Sequence, residues 1–134
     1  MPKISNFTYC LDSSSNNIST TINGVLNVIT PDYIPGNFSF SVFLSILDIQ
    51  PGTHELKMIF KDPDDNIAVN IAGNVVFENP QNDLVPLDYL GINVSAIWNN
   101  VVFKKSGEYK TEVYVDEEFI ESFKIYAIGK NELR

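Results

Sequence analysis

His54 is the only histidine in the chain, and imidazole is the one side chain that ordinarily changes charge near neutral pH. As a general base it would need a nucleophile and an orienting group within hydrogen-bond reach. Cys10, the single cysteine, is the obvious nucleophile, but a free cysteine ordinarily acts as a small buried hydrophobe. Nothing in the sequence brings it to His54. His54 also stands in phase with Leu56, Met58 and Phe60, where a histidine closes the end of a core strand. No catalytic residue is assigned, and the chain is read as a non-enzyme.

Asp62, Asp64, Asp65 and Asn66 could offer oxygens to calcium, but an EF-hand loop needs oxygens at fixed alternate positions, a glycine and a distal glutamate. Here Pro63 intervenes and Ile67 follows. A solvated turn is the competing reading, and the same applies to Asp116, Glu117 and Glu118. No cofactor is implied. The acidic residues cluster at strand ends and so do not suggest a glycosidase pair, whose carboxylates must face each other in space. Trp98 with Tyr89 or Tyr33 could form a stacking platform for carbohydrate. That requires an exposed indole, whereas Trp98 stands in phase with Leu90, Ile92 and Val94.

The chain has 134 residues, enough for a single domain spanning 1–134 with a sizeable core. Hydrophobic residues make up 44% and charged residues 19%, which is globular rather than disordered composition. A formal net charge of −8 disfavours nucleic acid, whose phosphates are bound by Lys and Arg, and disfavours anionic lipid. The lone cysteine fits a reducing compartment. No N-terminal apolar run resembles a signal peptide, so the expected location is cytoplasmic, and no stretch is apolar enough for a membrane span. The glycosylation sequons at Asn6, Asn17, Asn37 and Asn93 then follow from an Asn- and Ser-rich composition.

Elements that would position these residues are legible from period-2 alternation. Ile4 to Leu11 is the first strand, and 12–17 (DSSSNN) is a loop. Ile18 to Thr30 alternates with Gly24 in its apolar face, a sign of a bulge or a close crossing. After Pro31–Gly36 the most apolar strand, Asn37 to Ile49, puts Phe38, Phe40, Val42, Leu44 and Ile46 on one side. Pro51-Gly52 then turns into 53–61, and the two strands are expected to pair as a hairpin. Pro63 and its neighbours end that strand. Further strands follow at Ile67–Phe77, at Tyr89–Asn99, and at Val101–Phe103 after an Asn99-Asn100 turn. The last two are 108–115 and Phe119–Ile128. The expected fold is all-β: an immunoglobulin-like sandwich of two antiparallel sheets with seven to nine strands, a closed barrel being the competing way to bury the same faces.

Two motifs carry a resemblance: G-x-H-x-h-x-h-x-h-x-D-P-D at Gly52, His54, Leu56, Met58, Phe60, Asp62, Pro63 and Asp64, and G-x-Y-x-h-x-h-x-h-D at Gly107, Tyr109, Thr111, Val113, Val115 and Asp116. In this order they resemble a family of small bacterial or phage β-sandwich proteins of unassigned function. The resemblance implies the fold, with the Tyr109 hydroxyl tying down a nearby loop backbone. It implies no activity. The family's usual glycine in the final hairpin is replaced by Glu117 or Glu118, so a turn longer than two residues is expected there.

Apolar residues out of phase with their strands are the interface candidates: Phe43, Leu47, Ile49, Ile59 and Tyr114, with Val76 and Ile97 beside them. Either loops such as Glu78–Asp88 cover them or they form an open apolar patch, which usually marks a partner surface. The favoured function is a non-catalytic module that binds another protein or itself; a carbohydrate-binding sandwich is the alternative.

Overall fold

Each alternating strand has one apolar face to hide, and the chain hides these faces by stacking two sheets. The computed structural model describes residues 2–15, 20–77, 86, 89 and 91–133, the side chains of 14, 15 and 20 excepted. Among the described residues there are nine strands: β1 (Lys3–Ser15), β2 (Thr20–Val25), β3 (Val28–Ile29), β4 (Gly36–Leu47), β5 (Gly52–Lys61), β6 (Ile67–Phe77), β7 (Gly91–Phe103), β8 (Gly107–Val115) and β9 (Glu118–Ala127). One sheet has the order β2-β1-β4-β7 and the other β3-β9-β8-β5-β6. All ladders are antiparallel except a short parallel pairing of β3 with β9. The runs β1-β4-β7 and β9-β8-β5-β6 reproduce the A-B-E and G-F-C-C′ arrangement of an immunoglobulin sandwich.

Between the sheets the expected alternating residues meet. Phe40, Val42, Leu44 and Ile46 of β4 face Leu56, Met58 and Phe60 of β5 and Tyr109 and Val113 of β8 in one core. The rings of Phe40 and Phe60 lie 5.4 Å apart across the gap, and Phe60 stacks on Tyr109 at the same separation. The core contains one polar tie. Tyr9 Oη lies 2.6 Å from the buried Thr111 hydroxyl and donates to the Phe123 carbonyl, joining β1 of one sheet to β8 and β9 of the other. Burial drives the Tyr9 phenol well above its ordinary range. Tyr109 donates from its hydroxyl to the Lys105 carbonyl at 2.7 Å, the loop anchor implied by the Gly-x-Tyr resemblance.

Five details differ from expectation, each for a local reason. The stretch expected as a loop from Asp12 belongs, as far as Ser15, to β1, because residues 12–15 find ladder partners in residues 20–23 of β2. The stretch 18–30 is not one strand: its described part divides into β2 and β3, which belong to different sheets, with Gly24 at φ +68° and Leu11 packed against its Cα. The strands β4 and β5 do not form a hairpin. Asp48, at φ 59°, turns the chain out of one sheet, and β5 enters the other. Asn99-Asn100 is a bulge within a continuous β7 and not a turn, because two residues there oppose Ser39 alone and the Asn100 amide donates to the Ser39 hydroxyl. Finally, the Asp116-Glu117 turn has two residues, both left-handed at φ 51° and 68°, which matches the twist of a tight hairpin even without glycine.

Tyr9→Phe should leave the buried Thr111 hydroxyl without its partner and cost about 1–2 kcal/mol. Urea unfolding would read this as a lower midpoint at unchanged slope; an unaltered midpoint would show that the intersheet tie contributes nothing.

Candidate functional site

The two motif strands, β5 and β8, are neighbours, with Leu56 opposite Val115 and Lys61 opposite Lys110. Their motifs meet at both ends of this ladder. At one end His54 Nδ1 lies 2.6 Å from Asp116 Oδ2 and His54 Nε2 lies 2.6 Å from the Gln50 carbonyl. Asp116 also accepts from the Glu55 amide through Oδ1 and returns its own amide to the Glu55 carbonyl. At the other end the ring of Pro63 lies against Gly107. A Cβ there would meet Pro63 Cγ at 2.7 Å, and Gly107 has φ +147°, so only glycine fits without strain.

Both groups facing the His54 ring are acceptors, an arrangement that favours the doubly protonated imidazole. The hydrogen bond to Asp116, then that to Gln50, raises its pKa above 6.5. In turn His54 and the Glu55 amide lower the Asp116 carboxyl. Both ring nitrogens of His54 are thus engaged within the fold. Cys10 sits on the outward side of the other sheet, fully buried and donating weakly to the Ser41 carbonyl, and burial raises its thiol above the usual range. The structure does not bring these two together.

The acidic turn is braced by its own chain. Asp62 Oδ1 accepts from the Asp64 and Asn66 amides, while Lys105 pairs with Asp64 at 3.0 Å and Lys110 with Asp65 at 3.1 Å. The carboxylates diverge towards amides and lysines, and among the described residues no group of His, Cys, Asp and Glu is arranged to hold a metal. Trp98 is only 4% exposed, edge-on to Phe40 at 5.3 Å, so it cannot stack on a ligand together with the exposed Tyr33 and Tyr89.

The interface candidates separate into three groups. Ile49 is a correction: the reversal at Asp48 turns it inward, and it is fully buried in the core. Phe43 is a second correction. It faces outward as expected, but on a strand flanked by Thr8 of β1 and Ser95 of β7, and it is 7% exposed. Leu47 is half-buried at the end of the same strand. The covering loop considered at 78–88 lies outside the described residues, Pro86 excepted.

Ile59 and Tyr114, by contrast, share the outward face of the five-stranded sheet. Tyr114 lies opposite Lys57 on one side and Phe119 on the other. Its ring meets Phe119 edge-on at 5.5 Å, Lys57 Nζ stands 4.7 Å over it, and its hydroxyl donates to Glu112. Burial and Glu112 together raise its phenol. Lys61 pairs with Glu112 at 3.1 Å beside the row Lys61, Lys110, Lys124. Phe119 is 51% exposed. Strand phase alone does not single out Phe119 or Lys57; the signal for Phe119 is its adjacency to Ile120, since the two cannot both face a core in an extended strand.

Comparison with known proteins adds family membership and no activity. The model of a family of unknown function, DUF6941, matches residues 6–128. No curated protein matches the chain. Among solved structures, an immunoglobulin-like protein from Pseudomonas aeruginosa aligns with 96% of this chain and 97% of its own, at 12% identity and a TM-score of 0.47.

Two predictions follow from this geometry. The clamp stabilises fully between the ordinary carboxylate value of 3.8 and the ordinary imidazole value of 6.5. Its contribution is lost as pH rises through the raised His54 pKa, and lost as pH falls through the lowered Asp116 pKa. With Asp116 half in water the clamp should be worth about 1 kcal/mol, or about 3 °C in melting temperature. His54→Gln should therefore narrow the stability gap between pH 6 and pH 9; an unchanged gap would show that the ring is not charged in the fold. Separately, acrylamide should quench the lone Trp98 only weakly until the chain unfolds, and efficient quenching in native conditions would contradict its burial.

Proposed function

The chain belongs to this family of unknown function, and from that premise we propose a non-catalytic binding or assembly module that contacts protein through the outward face of its five-stranded sheet. The observation that carries this reading is the pair of half-buried Tyr114 and exposed Phe119 on a sheet face that solvent would otherwise keep polar. Rigid aromatic rings with polar edges supply much contact area at little entropic cost, and they dominate interface energetics. Lys57 stands over the Tyr114 ring without an acidic partner among the ion pairs of the described residues, while Lys61 and Lys110 further along the face pair with Glu112 and Asp65, so the face favours a partner that brings apolar side chains with a carboxylate towards Lys57. A cytoplasmic setting suits the lone, buried Cys10.

The commitment of His54 to its clamp and of Cys10 to the interior supports the non-catalytic part of this reading. The buried Trp98 removes the platform on which carbohydrate binding would depend. The test is affinity capture from the source cell with wild-type protein and with a Tyr114→Ser/Phe119→Ser double variant whose melting temperature is first shown to be similar. A protein retained by the former and lost from the latter is the expected result. Identical captured sets would overturn the assignment of this face.

A further inference from the structure

β6 is the outer strand of the five-stranded sheet, paired with β5 on one side and, among the described residues, with nothing on the other. Proteins ordinarily protect such an edge with charge, proline or a bulge that twists it away. β6 reads IAVNIAGNVVF, without a charged residue or a proline, and its one register shift lies at the Phe60/Lys61 end of the ladder. Among the described residues nothing blunts the middle of this edge, and such an edge is a template for pairing with another strand.

The hydrogen-bonding direction of β6 follows from the clamp. Glu55 directs both its amide and its carbonyl to Asp116, so Glu55 points towards β8. Alternation then turns Leu56, Met58 and Phe60 towards β6, where they lie opposite Gly73, Ile71 and Val69. The odd-numbered residues of β6 are thus bonded to β5. Asn70, Ala72, Asn74 and Val76 present their amides and carbonyls to the open edge, and all four are exposed, while Ala68 is the extra residue at the register shift.

We propose that this edge pairs with the same edge of a second copy, antiparallel, about a two-fold axis at Ala72. The proposal rests on the binding-module reading above and names its partner and surface. A two-fold interface requires a self-complementary strand, and β6 has one. Reversed about Ala72, Asn70 falls opposite Asn74, Val69 opposite Val75, Ala68 opposite Val76 and Ile71 opposite Gly73. The axis coincides with an outward-bonding residue, so Ala72 and Asn70–Asn74 fall in hydrogen-bonded positions, and the regular seam ends at the bulged Ala68. The one unequal inner pair is complementary in shape: a Cβ on Gly73 would meet no atom within 4 Å, which leaves room for the partner's Ile71. No like charges meet along the seam. Face parity is preserved, so two five-stranded sheets would join as one continuous sheet, with their Tyr114–Phe119 faces on the same side.

The test combines mass, charge and register. Sedimentation equilibrium at about 100 µM should show a reversible dimer. Ala72→Lys places two ammoniums directly opposite each other and should raise the dissociation constant about tenfold or more. Because Ala72 is exposed and its outward groups make no intrachain ladder bond, the variant should melt like wild type. In a Cys10→Ser background, Ala72→Cys should oxidise to a linked dimer, since paired Cα atoms in such a ladder lie within disulfide reach, whereas Val102→Cys on the edge of the other sheet should not. A wild-type monomer at this concentration, a dimer indifferent to Ala72→Lys, or equal cross-linking at both positions would overturn the proposal. A monomer that still loses a captured protein on substitution of Tyr114 and Phe119 would sink self-pairing alone and leave the binding-module reading standing.

Discussion

The pairing of β5 with β8 is the constraint from which most of this structure follows. Both strands are interior to their sheet, and both present alternating apolar residues to the core. Backbone pairing alone would let either strand slip by two residues without exposing its apolar face. Side chains at the two ends forbid the slip. His54 and Asp116 match at one end, and at the other Pro63 fits only over a residue with no Cβ. The register so fixed aligns Tyr109 with its Lys105 anchor and places Thr111 beneath Tyr9, which ties the second sheet down.

The same clamp explains a turn that its residues alone would disfavour. Asp116 and Glu117 both adopt left-handed backbone without being glycine, at a cost of the order of 1 kcal/mol each. Asp116 offsets that cost by accepting from His54 and Glu55 and by donating its amide to Glu55. A two-residue hairpin then sets Phe119 opposite Tyr114. The aromatic pair on the outward face is therefore a consequence of chemistry at the strand ends. Fold and candidate interface are linked through one histidine, whose ring joins the ends of β5 and β8.

Core membership was legible in the sequence wherever alternation was strict. Phe40 to Ile46, Leu56 to Phe60 and Tyr109 to Val113 point inward as their phase requires. Partner identity was not legible, because a strand has the same period whether its neighbour in sequence lies beside it or across the sandwich. That is why β4 and β5 read as a hairpin although they belong to different sheets. Phase also fails after any left-handed residue. Asp48 carries Ile49 from the surface to the core, and the Asn99–Asn100 bulge lets Val101 and Phe103 face inward within an unbroken strand. Phe43 shows a further limit: parity gives the direction of a side chain and says nothing of its burial on a strand with neighbours on both sides. Of the candidate site, Ile59 and Tyr114 were visible as phase defects. Asp116 as the partner of His54 was not, since nothing local relates residues so far apart in the chain.

The contrast between β6 and the strands around it bears on what the fold is for. Lysines and glutamates mark the outward positions of β5, β8 and β9, among them Lys57, Lys61, Lys110, Glu112 and Lys124, and they keep those surfaces solvated whether or not anything binds. β6 has none, and its outward side chains are Ala68, Asn70, Ala72, Asn74 and Val76. A strand selected only to close a sheet would be safer with a lysine at any of these exposed positions, at no cost to the core. The outer strands β2 and β7 of the other sheet are uncharged too, but β2 has six residues and β7 is bent by the Asn99–Asn100 bulge; β6 is a long edge with neither charge nor a bulge at its centre, which suits a contact there. Because an open edge attracts any extended segment, a specific occupant must fit better than the alternatives. Self-complementarity about Ala72 supplies that preference from the strand's own sequence.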